Sequence, residues 1–312
     1  MNESVKTAEN PIQQVLNKHR IKEADFKDIY GETGLSQMKA ELTIARSHFD
    51  KKINQDAAET MEAVVFWRME TNDWLGDFAP PETIDNDSDK LSLTTLLASE
   101  TDDVLSRTDM ILVLNNKFME GQVISLDMTT AKDADVVKAK FAPAKRNKNL
   151  PRGYENLKFV DAEEEARVKG AINMVPHMVI GADSALADRL ADLELKKSNG
   201  HHFSDVDKAE MNMLDAQMAY IVTSEMALQA EMIFKDATDE KSQRMAEYFQ
   251  QARNKAKNRL GSLGVEHVVD RVMGLIEHYA EEELIKPAAI HTKRDVGRVA
   301  LGAYRGDQTA VM

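Results

Sequence analysis

The chain has 312 residues, 43% hydrophobic and 30% charged, with 40 Lys and Arg against 53 Asp and Glu and a formal net charge of −13. That length suffices for one large domain, or for a core with a helical appendage, and the apolar content is globular, which excludes a disordered chain. The absence of cysteine excludes disulfides, thiolate zinc sites and cysteine nucleophiles, and the acidic balance argues against a general nucleic-acid coat protein while leaving room for a local basic groove.

The first residues carry no basic-then-apolar leader, and no apolar run approaches the roughly 18 residues that a membrane span needs. A soluble cytoplasmic protein without a membrane partner is expected. Residues 10 to 55 read as short polar helices, with Leu35, Met38 and Leu42 at helical spacing. A stronger helix follows from Asp56 through Arg68, and Gly76 with Pro80-Pro81 ends the helical signal. After the acidic stretch Asp85 to Asp89, residues 91–97 are β-rich, 109–114 form a strand, 115–121 a hairpin connection, and 122–127 the partner strand.

A helix is expected from about Asp133 to Phe141. A basic, irregular stretch runs from Lys138 to Lys158. Another buried strand spans 175–181 and enters a helix capped by Asp183 or Ser184, with Leu186, Leu190 and Leu193 on one face. From Ser204 onward the pattern is helical: an apolar stripe through Met211, Leu214, Met218 and Ile221, a charged helix over roughly 239–260 ended by Gly261 and Gly264, and an amphipathic helix through Val268, Val272, Leu275 and Ile276. A hairpin followed by a helical crossover to a further strand implies a mixed sheet with helices packed on it.

Two acids stand out. Asp109 begins one hairpin strand and Asp127 ends the next, and an antiparallel hairpin places those two positions side by side. Paired carboxylates repel unless a proton or a cation intervenes. A hard divalent ion such as Mg²⁺ or Mn²⁺ suits oxygen ligands and leaves positions for phosphate and water. The competing reading makes them strand-end residues that accept bonds from nearby backbone amides.

The stretch Ser99-Glu100 … Thr108-Asp109-Met110-Ile111, then Ile124 to Thr130, then Val175 to Asp183, together with the later helix carrying Leu214, Gln217 and Gln229, resembles the PD-(D/E)xK nucleases. The likeness is to a subgroup of mostly uncharacterised prokaryotic and phage proteins. It implies a small mixed sheet of restriction-endonuclease type flanked by helices, over residues 57–235, with an N-terminal helical segment at 1–56 and a helical C-terminal region at 236–312.

By this resemblance Asp109 and Asp127 match the two metal-binding acids. The early acid falls on Glu62, then Glu59, with Glu100 as a third candidate. Classical members carry lysine where this chain has Thr129. In the subgroup a lysine on the next helix replaces it, which points to Lys140, with Lys138 or Lys132 as alternatives. The implied activity is hydrolysis of phosphodiester bonds with Mg²⁺ or Mn²⁺, in a prokaryotic or phage-infected cell.

Lys138, Lys145, Arg146, Lys148, Arg152 and Lys158 supply a basic track for nucleic acid, DNA more than RNA, and Tyr154 offers an aromatic face; a solvated loop is the bland alternative. Two rival functions remain at this stage: a catalytically inactive nuclease fold that binds nucleic acid, and a phage-derived structural or interaction protein. In either, the C-terminal helices would serve a homo-oligomer or a protein partner. His201-His202 lacks partners at zinc spacing, and His177 reads as a core histidine.

Overall fold

The computed structural model describes residues 11–47, 55–71, 74–75, 92–115, 121–142, 149–162, 168–265 and 267–284. Its centre is a five-stranded mixed sheet flanked by helices, with strand order β1-β2-β3-β5-β4. Strands β1 (Ser92–Leu97), β2 (Met110–Asn115) and β3 (Gln122–Thr129) form an antiparallel meander. Helix α5 (Ala134–Lys140) then crosses over, and β5 (Val168–Gly181) runs parallel to β3. Strand β4 (Tyr154–Ala162) pairs antiparallel with β5 at the edge.

Every residue from Met110 to Leu114 is buried, which accounts for the unbroken apolar run of β2: a strand covered on both faces has no polar side to show. Alternate side chains divide between two faces. Met110, Leu112, Leu114, Ile124, Leu126, Met128, Met178 and Ile180 enter the main core. There they meet α3 (Gln55–Thr71), α6 (Ser184–Ser198), α7 (Asp205–Ile233) and α8 (Glu240–Ser262). On the other face Ile111, Val113 and Val123 pack with Leu157, Val160 and Val175 of the β4–β5 hairpin. A third cluster joins Val137 and Phe141 to Val179, Val272 and Ile276 of β5 and α9 (Arg271–Leu284).

The N-terminal elements, α1 (Pro11–His19), a 3-10 turn (Glu23–Phe26) and α2 (Lys27–Ser47), lie against the same body. Phe26 is fully buried and meets Phe159 edge-on at 5.1 Å. Tyr30 Oη donates to the carbonyl of Lys158 at 2.5 Å. The short helix α4 (Glu100–Ser106) sits between β1 and β2; Ser99 caps it, accepting from the Asp102 N–H. No helix among the described residues is long and apolar enough to cross a membrane.

The chain-order reading differs from the structure in several places; β5 begins at Val168 rather than at residue 175, and α9 at Arg271, after Val268. Helix α4 falls where no element was expected, although Ser99-x-x-Asp102 is a helix-start signal. The basic irregular stretch stops short of Tyr154, where β4 begins; buried Leu157 and Phe159 alternate there with Asn156 and Lys158. The strand forms because the β5 ladder and the buried face of Leu157 outweigh local charge.

Candidate functional site

The β2–β3 register pairs Met110 with Leu126, so Asp109, one residue earlier, lies opposite Asp127. The Asp109 N–H donates to the Leu126 carbonyl at 2.8 Å, and its Oδ2 accepts from the Met128 N–H at 2.5 Å. Asp127 is 2% exposed. Its Oδ1 accepts from Lys140 Nζ, while its Oδ2 is buried with no hydrogen-bond partner among the described residues. Lys140 Nζ also donates to the Met128 carbonyl at 3.1 Å.

Helix α5 is aimed for this contact. Asp133 caps its start through the Asp135 and Val136 N–H groups, Val137 and Phe141 anchor its inner face, and Arg107 donates to the Ala139 and Ala142 carbonyls at its end.

Burial raises the carboxyls of this cluster. Asp109 is pushed up to about 6 by burial and then by Asp127, with Lys140, the Met128 N–H and Arg20 acting against the shift. Asp127 is also raised by burial, against the opposing pull of Lys140. For Lys140, burial opposes the charge, but Asp127 and Asp109 outweigh it and raise the ammonium above its ordinary value.

A cleft of about 140 Å³ opens beside this pair, lined by Arg20, Ala58, Glu59, Glu62, Asp103 and Asp109. Glu62, on α3, is raised well above its ordinary value by burial first and Asp109 second. Asp103, on α4, is pushed up to about 7 by burial and Asp109. Arg20 bridges the two, with Nη2 3.0 Å from Glu62 Oε1 and Nη1 3.0 Å from Asp103 Oδ2.

The structure therefore brings together Asp109, Asp127 and Lys140, and sets Glu62 and Glu59 at the adjoining cleft. Glu100, at the start of α4, pairs instead with Arg46 and does not line the cleft. Lys132 pairs with Asp183 at 2.6 Å. Of the basic track, Lys138 is bonded to Glu282 at 3.1 Å and Arg152 to Glu283, both acids of α9; Lys145, Arg146 and Lys148 lie outside the described residues. Tyr154 starts β4, with burial pushing its phenol up to about 12.

His177 is buried, its Nδ1 2.9 Å from Ser125 Oγ, and burial, then Lys140 and Arg107, lower it to about 3. His201 and His202 are exposed. Arg20 and Asp103 were missed in the sequence, since only tertiary packing joins the end of α1 and an unrecognised helix to the sheet rim.

Among the described residues no three His, Asp or Glu side chains already encircle a common point. Two cations are bonded to three of the four acids Glu62, Asp103, Asp109 and Asp127, which leaves an excess of two negative charges when all are ionised. The facing pair Asp109–Asp127, that excess and the partnerless Asp127 Oδ2 fit a hard divalent cation. Compared with protein-family models, curated proteins and solved structures, this chain has no significant match.

Proposed function

We propose that this protein is a divalent-metal-dependent nuclease that hydrolyses phosphodiester bonds in nucleic acid, DNA before RNA, on a PD-(D/E)xK-like core. The observation that carries this reading is the meeting of Asp109, Asp127 and Lys140 from three separate elements. The order of elements supports it: a three-strand meander interrupted by α4, a helix, the edge strand β4, then a strand parallel to the third.

Asp109 and Asp127 would hold Mg²⁺ or Mn²⁺, with Glu62 as the acid from the preceding helix. When bound, such an ion polarises a phosphoryl oxygen and lowers the pKa of a water toward neutrality. Lys140 favours the ionised form of Asp127 against the effect of burial and sets a positive charge beside the carboxylates, where negative charge grows on a phosphate. Thr129 is committed to a turn, its Oγ1 accepting from the Ala131 N–H at 3.1 Å, so the lysine role falls to α5.

A catalytically inactive, nucleic-acid-binding version of the same core is favoured by one observation: Arg20 and Lys140 already neutralise three of the acids. The deciding experiment incubates single- and double-stranded DNA and RNA with the protein and Mg²⁺ or Mn²⁺, beside a folded Asp109→Asn/Asp127→Asn variant. Cutting by the wild type that falls to background in the variant is expected. Salt-sensitive binding without cutting would replace the nuclease reading with the inactive one.

A further inference from the structure

Arg20 enters the cleft from the turn after α1, and its place is fixed by backbone bonds. Its own N–H donates to the Leu16 carbonyl at 2.9 Å, and the Ile21 N–H donates to the Leu97 carbonyl at 3.1 Å, joining this segment to the end of β1. The guanidinium spans two elements, α3 through Glu62 and α4 through Asp103, and Nη1 also reaches the Ala98 carbonyl at 3.4 Å. Its side chain is still 19% exposed at the cleft wall. Of its five N–H donors, Nε–H and one on Nη2 have no partner among the described residues. A guanidinium can bind a phosphate oxygen through donors left over in this way.

The surroundings of Arg20 are acidic. Glu62, Asp103 and Asp109 all act on it, and without a counter-ion their mutual repulsion would have to be relieved by protons. A divalent ion held by Asp109, Asp127 and Glu62 would compete with Arg20 for Glu62 alone and leave its bond to Asp103.

We propose that Arg20 is a phosphate-binding residue of the cleft, held in place by Glu62 and Asp103 and presenting its remaining donors to a non-bridging phosphate oxygen of DNA. This rests on the metal-dependent reading above and adds the residue that seats the substrate. A purely structural Arg20, tying α1 to α3 and α4, makes different predictions.

The test uses the full chain and two probes. Calorimetry follows Mn²⁺ uptake, and fluorescence anisotropy follows a labelled DNA duplex with Ca²⁺ present, the DNA being checked for integrity. Arg20→Met is expected to bind Mn²⁺ at least as tightly as wild type, because a competing cation is gone. Its DNA binding should weaken by about 10-fold or more, the usual cost of a lost charged hydrogen bond. Its dependence on salt should fall by about one phosphate contact. Arg20→Lys keeps the charge but loses the fork, so it should bind Mn²⁺ like wild type and DNA with intermediate affinity; it decides the question alone if Arg20→Met does not fold.

Wild-type DNA binding and salt slope in either folded variant, or weakened Mn²⁺ uptake in Arg20→Met, would overturn the proposal and leave Arg20 a tether. If wild type takes up no Mn²⁺, or uptake is unchanged in Asp109→Asn/Asp127→Asn, the metal-dependent reading itself fails, and the role of Arg20 fails with it.

Discussion

Lys140 carries the electrostatics of the sheet rim, because the buried Asp127 and the half-buried Asp109 share its single charge. Removing one partner of such a pair leaves the other uncompensated. Lys140→Met is expected to cost about 3 kcal/mol at pH 8, read from urea denaturation without metal. The cost should shrink at pH 5, where protonation of Asp109 relieves its repulsion with Asp127. Asp109 allows a second pH test. Its folded value of about 6 stands above its ordinary 3.8, so the folded state binds the proton more tightly. Its contribution is therefore full below about pH 4 and is lost as pH rises through about 6. Wild type should lose stability relative to Asp109→Asn across that window, with a constant difference above about pH 7. A difference that does not change with pH would sink the assignment. The comparison must be made as a difference, because His177, lowered to about 3, acts in the opposite sense below about pH 6.5.

At the scale of elements, side-chain amides and carboxylates complete the backbone bonding of the sheet. Gln229, buried on α7, accepts from the Val179 N–H at 2.8 Å and donates to the Val179 carbonyl at 2.7 Å. Glu225, one turn earlier, accepts from the Gly181 N–H at 2.8 Å. These bonds hold the end of β5 on the side away from β3, where a neighbouring strand would otherwise pair. Gln229→Leu strands two buried backbone groups and is expected to destabilise the fold by about 3 kcal/mol, measured by chemical denaturation. A cost under about 1 kcal/mol would mean that β5 finds other partners. Asp102 does the same for β4, accepting from the Lys158 and Phe159 N–H groups at 2.8 Å each. Since α4 also presents Asp103 to the cleft, the element that braces the hairpin helps to build the candidate site.

At the scale of the molecule, one core reaches from the N-terminal half into the late helices. Met61 and Val65 of α3 share a cluster with Met245, Tyr248 and Phe249 of α8. Tyr248 Oη donates to the Leu75 carbonyl, and Trp74 Nε1 donates to Asp215 at 3.1 Å. A chain ending at residue 239 would expose the surface that Phe249 and Tyr248 cover, where each large aromatic removed costs about 3–5 kcal/mol. Such a truncation is expected to bind a hydrophobic dye and to lose its cooperative thermal transition. A sharp transition near that of the full chain would show that the late helices are dispensable.

The sequence by itself determined the helix-rich α/β character, the meander and its register. Periodicity and the run Met110 to Leu114 are local signals, and a hairpin fixes which residues face each other, so the Asp109–Asp127 pairing was legible at once. It also marked α5, through its cap and its two lysines. Only the tertiary structure decided which lysine meets the acids, since the packed helix sends Lys138 and Lys140 in different directions and Lys132 lies before its cap. It likewise decided that Arg20 and Asp103 join the cleft and that Lys138 and Arg152 turn to the acids of α9. Those encounters span tens of residues in sequence, and they are set by how helices bury their apolar faces on the sheet, which no local pattern encodes.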